Sequence, residues 1–296
     1  MKASRFLALI LTITMTMVLL AGCGGGKNSG SDSEGGNGGS KDIIVVTRES
    51  GSGTRGAFVE LFKVEVKEGD TKKDMTTADA ITTSKTDVML TTIAGNESAI
   101  GYVSVGSLND SVKALEIDGA AATAANVKSN SYKISRPFIV ATKGTSSGLQ
   151  KDFIDFILSK EGQDVISANN YVPVKDGASA YDGDKPDGKL VVAGSSSVTP
   201  VMEKLKEAYE VINPEAKIEI QMTDSTAGIR ALTGGTCDIA MSSRDLTDEE
   251  KTELSDTVIA MDGIAVIVSK DNTQNAMTSE QVRQVFTGEV TSWDDI

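Results

Sequence analysis

Histidine is absent from this 296-residue chain, and cysteine occurs only at Cys23 and Cys237. Without histidine, Ser-His-Asp and Cys-His catalysis are excluded in their usual forms, and the commonest metal ligand is missing. Positive charge is also scarce. The 29 Lys and Arg against 42 Asp and Glu leave a formal charge of −13. Nucleic acid or an anionic lipid surface would need a basic face, so neither is expected as a partner. A small anion stays open, because a buried site answers to local donors more than to net charge. Aromatics make up only 4% and hydrophobic residues 39%, a composition that suits an α/β protein built on Val, Ile, Ala and Gly. The length accommodates one or two domains. No cofactor or metal is expected.

The first residues read as an export signal. Lys2 and Arg5 precede an apolar run from Phe6 to Leu20, which is short for a membrane span. The run ends Leu20-Ala21-Gly22-Cys23, which resembles a bacterial lipobox. That resemblance implies cleavage of residues 1–22 and lipidation of Cys23, placing the protein on the extracytoplasmic face of the cell membrane. The alternative is an ordinary signal peptide with a chance cysteine. Residues 23–40 carry almost no apolar side chain and read as a Gly/Ser tether. A coil of this length spans about 20–25 Å. Cys237 has no partner cysteine or histidine and reads as a buried small hydrophobe.

Folded sequence begins near Asp42. Ile43–Thr47, Ala99–Val103, Phe138–Ala141, Lys189–Ala193, Lys217–Gln221 and Gly263–Ser269 read as strands. Arg55–Phe62, Pro200–Ile212 and Ser225–Leu232 read as helices, and Leu149–Ser167 as a single amphipathic helix. Thr278 with Gln281 forms a capping-box pattern opening a helix to Phe286. Residues 176–188 are polar, rich in Gly and Asp, and read as a second linker. The alternation implies an α/β fold with largely parallel sheets.

Three segments share one design, a strand, a turn of small hydroxyl residues, then a helix start. They are Gly194 to Pro200, Thr223 to Gly228, and Arg48 to Thr54. A helix N-terminus leaves N–H groups unpaired and carries partial positive charge, so each is a potential anion site. Arg48 adds a fork of donors that matches phosphate geometry. Plain N-capping is the alternative for any one of them.

The stretches VVAGSSSVTPVMEKLKEAY, GTCDIAMSSRDLTDEE, DGIAVIV, FTGEVTSWDDI, VVTRESGSGTRGAF, AIGYVSVGSL, ISRPF and YVPV resemble the phosphate-specific ABC transporter substrate-binding proteins. The likeness runs from Asp42 to Ile296. It implies a two-lobed periplasmic-binding-protein fold of type II closing at a hinge. It implies no enzyme activity, a monomer, and partners comprising inorganic phosphate and the ABC permease and ATPase subunits. Carried over motif by motif, the phosphate ligands are Arg48, Ser52, Gly53, Thr54, Ser197, Thr199, Ser225 and Ser243. Ser196, Asp224, Arg244 and Asp245 stand behind them. Two departures count. Val198-Thr199 replaces the family's hydroxyl-aromatic pair, and Ser243 stands where members often carry an aspartate that rejects sulfate. Asp224 or Asp245 is the substitute carboxylate, and Arg244 is either a second cation at the site or the partner of Asp245.

The halves come in reversed order relative to that family. Residues 41–175 match its C-terminal half, forming mostly lobe 2, with the 145–175 helix on lobe 1. Residues 189–296 match its N-terminal half, forming lobe 1 to about 268 before a tail returns to lobe 2. This order reads as a circular permutation joined through 176–188, or as halves joined by faulty assembly or duplication. Three functions compete: a transport receptor for phosphate or another oxyanion such as sulfate, a phosphate sensor, and a phosphatase using Ser52 or Thr54. The last lacks a histidine base.

Overall fold

The computed structural model describes residues 42–68 and 71–296. Cys23, the export signal and the proposed tether lie outside the described residues. Along the chain come β1 (Ile44–Arg48), α1 (Gly53–Leu61), the hairpin β2 (Glu65–Glu68) and β3 (Thr71–Asp74), and β4 (Ile81–Thr83). They are followed by α2 (Thr86–Ala94), β5 (Ala99–Ser104), β6 (Val112–Ala114), β7 (Glu116–Ile117), α3 (Ala124–Lys128) and β8 (Ser135–Lys143). Next are α4 (Gly148–Leu158), α5 (Lys160–Ala168), β9 (Val172–Pro173), β10 (Gly188–Ser195), α6 (Thr199–Ile212) and β11 (Ala216–Thr223). The chain ends with α7 (Ser225–Thr233), β12 (Ile239–Ser242), β13 (Leu254–Ser269), β14 (Ala276–Met277) and α8 (Ser279–Thr287).

One sheet carries the order β11-β10-β12-β8-β13-β5-β1-β4. Its flanks are parallel, β10 with β11 and β12 on one side and β1 with β4 and β5 on the other. The middle differs from the largely parallel expectation, because β8 and β13 run antiparallel to each other and to their neighbours. Strand β13 also starts nine residues earlier, at Leu254, than the strand expected at Gly263–Ser269. It pairs with β8 over Leu254–Gly263 and then with β5 over Ile264–Val268. Gly263 looked like a strand start, but a Cβ there would sit 2.7 Å from Val105 Cγ2 and 2.9 Å from Val127 Cγ2. The glycine is a close-approach position inside one strand.

Two apolar cores lie along this sheet. One, the Arg48 lobe, gathers Phe58, Met89, Ile93, Ile100 and Tyr102 with Val282, Val285 and Phe286 of α8. Phe58 stacks on Tyr102 with centroids 4.0 Å apart, and Phe286 lies 4.5 Å from Phe58. The tail is tied further by the Ile43 N–H donating to Thr291 O at 2.7 Å. The other, the Ser197 lobe, packs Phe153, Phe156, Met202, Leu205 and Tyr209 on one face of the sheet. Ile229, Leu232 and Cys237 pack on its other face. Cys237 is buried, which pushes its thiol up to about 11.

Two boundaries are corrected. Ile264–Val268 belong to the Arg48 core, so the crossing between lobes falls within β13 near Asp262 rather than at 268. A 16-residue strand is long enough to serve both cores. The single helix expected over 149–167 is two, α4 and α5. They are broken at Ser159, whose extended backbone (φ −73, ψ 171) ends one helix while its hydroxyl accepts from the Gly162 N–H to cap the next. The 176–188 segment has no regular element before Gly188, yet it is pinned. The Tyr181 hydroxyl donates to Asp152, and the Asp184 N–H donates to Asp152 Oδ1 at 2.9 Å.

Candidate functional site

Strand β1 delivers Arg48 to the lobe junction with 2% of its surface exposed. A guanidinium so buried needs partners. Its Nε and Nη2 fork onto the Glu49 carboxylate at 2.8 Å each. Nη2 also donates to Ser196 Oγ at 3.0 Å in the other lobe, and Nη1 approaches Thr86 Oγ1 at 3.4 Å. The chain then turns through Gly51 into α1, where Ser52 caps by accepting from the Arg55 N–H at 3.3 Å. Arg55 braces the loop from outside, donating from Nη1 to Arg48 O at 2.7 Å and from Nε to Asp74 Oδ2 at 2.7 Å.

The opposite wall is built from three turns of the Ser197 lobe. At the end of β10 and just after it, Ser195, Ser196 and Ser197 are all buried. Ser195 Oγ donates to Ser243 Oγ at 2.9 Å, and Ser225 Oγ accepts from the Ser243 N–H at 3.2 Å. The walls meet. Thr54 Oγ1 and Ser197 Oγ are 2.7 Å apart, and a Cβ on Gly53 would lie 2.4 Å from Ser225 Oγ and 2.7 Å from Ser243 Oγ. Only glycine lets the α1 N-terminus approach those serines.

Arg48, Gly53, Thr54, Ser196, Ser197, Ser225 and Ser243 are therefore brought together. Ser52 is buried beside them but serves its own helix. Thr199 is not brought in: half-buried, it donates its hydroxyl to Ser195 O at 3.0 Å. A threonine in the first turn of a helix bonds back to the preceding carbonyl, and here that option wins. Asp224 caps α7 by accepting from the Ala227 N–H at 2.8 Å, and its Oδ1 would lie 2.4 Å from a Cβ on Gly51. Asp245 is exposed. Arg244 joins neither proposed partner. It forks onto Glu250 at 2.8 Å twice and reaches Asp245 only at its carbonyl. Those bonds from Arg244 hold the Glu250 carboxyl below its ordinary range.

Sequence reasoning missed Thr86, the first residue of α2. Its hydroxyl lies 3.3 Å from Ser196 Oγ and 3.5 Å from Ser197 Oγ. The Ser84-Lys85-Thr86 start had the same hydroxyl-before-helix pattern and was the available signal. It also missed Glu49 as the fork of Arg48, and Ser195.

Four helix N-termini, those of α1, α2, α6 and α7, thus converge on one patch of hydroxyls beside the buried guanidinium of Arg48. Such a set supplies N–H and O–H donors from all sides and fixed positive potential, the requirements for holding a dehydrated tetrahedral oxyanion. Nothing in it supplies a general base of histidine type.

The chain matches the PBP superfamily domain over residues 28–161 and 179–295. It is 53% identical over 257 residues to the phosphate-binding protein PstS 2 of Streptococcus agalactiae serotype V, covering 86% of this chain and 87% of the relative. The Streptococcus pneumoniae protein of the same name is 45% identical over 257 residues, covering 87% and 88%. The crystal structure of a phosphate ABC transporter phosphate-binding protein from S. pneumoniae is 45% identical. It superposes with a TM-score of 0.70 over 86% of this chain and 99% of that one.

Proposed function

Because this chain belongs to the PBP superfamily and, within it, to the phosphate-binding proteins, we propose that it captures inorganic phosphate outside the cytoplasm and delivers it to an ABC importer. The observation that carries this reading is the closed contact of Thr54 with Ser197 beside buried Arg48, a donor-lined seam between two lobes. The anion sits against Arg48, Gly53, Thr54, Ser197, Ser225 and Ser243, with Ser52 and Ser196 behind and Thr86 added. Thr199 serves the backbone. The partners are the permease and ATPase subunits of the importer, met by a monomeric receptor held at the membrane through a lipid on Cys23. Metabolic labelling with a fatty acid tests that anchor: Cys23→Ala abolishes the label.

We read the reversed order of the halves as a circular permutation rather than an assembly fault. One 257-residue alignment with the S. agalactiae relative necessarily runs through 176–188, which supports the same order in both proteins.

Phosphate carries a proton that sulfate lacks, so rejecting sulfate needs an acceptor at the site. With Asp245 exposed and Ser243 in place of a carboxylate, Asp224 beside Gly51 takes that role. Calorimetry on the chain from residue 40 onward, with phosphate, sulfate and arsenate, decides the matter. The expected result is binding of phosphate and arsenate over sulfate, with Asp224→Asn narrowing the gap. Absence of phosphate binding by the parent refutes the receptor reading.

A further inference from the structure

A second buried guanidinium, used by none of the contacts above, lies where the two lobes share strands. Arg136 on β8 and Asp262 on β13 are directly opposed in the antiparallel register. Their side chains are 3% and 0% exposed. Asp262 Oδ1 accepts from Ser104 Oγ of the Arg48 lobe at 2.7 Å, and Oδ2 accepts from Arg136 Nη2 at 3.3 Å. Arg136 Nη1 donates to Ser243 O at 3.0 Å, the backbone of a serine facing Gly53 and Ser225. Its Nε has no hydrogen-bond partner.

A buried ion pair is a poor way to gain stability, since desolvating both charges offsets their attraction. An orphaned Nε adds to that cost. The arrangement therefore asks for another reason, and its connectivity supplies one. The two Nη atoms face in different directions. One holds the carboxylate linked to the end of β5, and the other holds the turn after β12. The rigid fork of an arginine can do both at once, whereas a lysine is a single point of charge. The ring of Tyr171 fills the space over Gly106, where a Cβ would lie 2.1 Å from its Cζ, so the junction has little room to relax. Burial lowers the Arg136 pKa, Asp262 counters this, and Arg48 adds a further lowering.

We propose that Arg136 is a positioning residue for anion capture, hanging the Ser243 turn of one lobe on Ser104 of the other through Asp262. It sets affinity by holding Ser243 in place as the lobes close. The inference deepens the receptor reading and rests on it.

The test is phosphate binding by calorimetry for the parent, Ser104→Ala, Arg136→Lys and their double variant, with unfolding temperature and phosphate-induced change in radius of gyration recorded for each. Arg136→Lys should weaken binding about 10- to 100-fold, the loss of a bond to a charged group. Ser104→Ala, a mild change that leaves the charges in place, should weaken it about 3- to 10-fold. In the Arg136→Lys background, Ser104→Ala should have no further effect, because its influence passes through the arginine. Both variants should also close less on adding phosphate. A residue that only packs would change unfolding temperature while leaving affinity and closure alone. Affinities within twofold of the parent, or fully additive losses, overturn the proposal. If the parent binds sulfate or arsenate but not phosphate, the phosphate reading falls and the same comparison is made with that anion. If it binds none, both readings fall.

Discussion

Thr54 and Ser197, 143 residues apart, bring their hydroxyls to 2.7 Å of each other across the two lobes. The pair joins the first turn of α1 in the Arg48 lobe to the turn between β10 and α6 in the Ser197 lobe. It lies within a cluster that includes the buried Arg48 and the N-terminus of α2 at Thr86.

Removing the charge at this seam should be the most damaging change. Arg48→Ala should weaken phosphate binding by about 2–5 kcal/mol, since the ligand then loses a desolvated charged partner. Thr86→Val keeps the shape and removes one hydroxyl, and should cost about 1–3 kcal/mol. Calorimetric titration measures both. Unchanged affinity in Arg48→Ala would remove the anion from this seam.

The C-terminal tail should be indispensable to the Arg48 lobe. Val282, Val285 and Phe286 are fully buried among Phe58, Tyr102 and their neighbours. Ending the chain at Asn275 removes several such side chains at about 1.5–3 kcal/mol each, which rivals the whole stability of a typical domain. The expected outcome is loss of cooperative unfolding and of phosphate binding. A truncated chain with a normal denaturation curve would contradict it.

Asp152 should matter for stability and not for ligand. Buried in the Ser197 lobe, it accepts from the Tyr209 hydroxyl at 2.6 Å, from Tyr181 and from the Asp184 N–H, clasping the 176–188 segment to α4 and α6. Asp152→Ala leaves those donors unmatched and should cost about 1–3 kcal/mol. Urea unfolding reads that loss, while phosphate affinity should stay within twofold of the parent.

Asp262 should leave a signature in stability against pH. Burial pushes its carboxyl up to about 6 from an ordinary 3.8, against the pull of Arg136 and Ser104. Between those values the folded protein binds more protons than the unfolded chain, so stability falls as pH rises from 3.8 to 6. The whole effect is at most about 3 kcal/mol. Glu250 acts with the opposite sign. Its bonds to Arg244 lower its pKa from 4.5, so the stability it contributes is lost as pH falls below that value. Asp262→Asn should flatten the pH 4–6 segment of the denaturation midpoint and leave the loss below pH 4.5 in place.

The local parts of this protein were legible in its residues because their causes are local. Thr278 and Gln281 cap α8 reciprocally, three residues apart. The turn from Arg48 to Thr54 carries its own strand end, cap and glycine, and the structure sets the side chains of Arg48 and Thr54 against the other lobe. Strand-turn-helix alternation likewise follows from spacings of two to four residues, and with it the α/β class. What only the tertiary structure decided are the matters of which ends meet. Thr199 and Ser197 look alike as hydroxyls at a helix start, yet one bonds its own backbone and the other faces Thr54. Arg244 found Glu250, six residues on, in a turn that no periodicity announces. Arg136 and Asp262 are 126 residues apart and became opposed only when β13 ran through both lobes. A side chain's chemistry is written at its own position, but whether its donors are spent locally or on a distant partner depends on how the strands align, and that is a property of the assembled sheet.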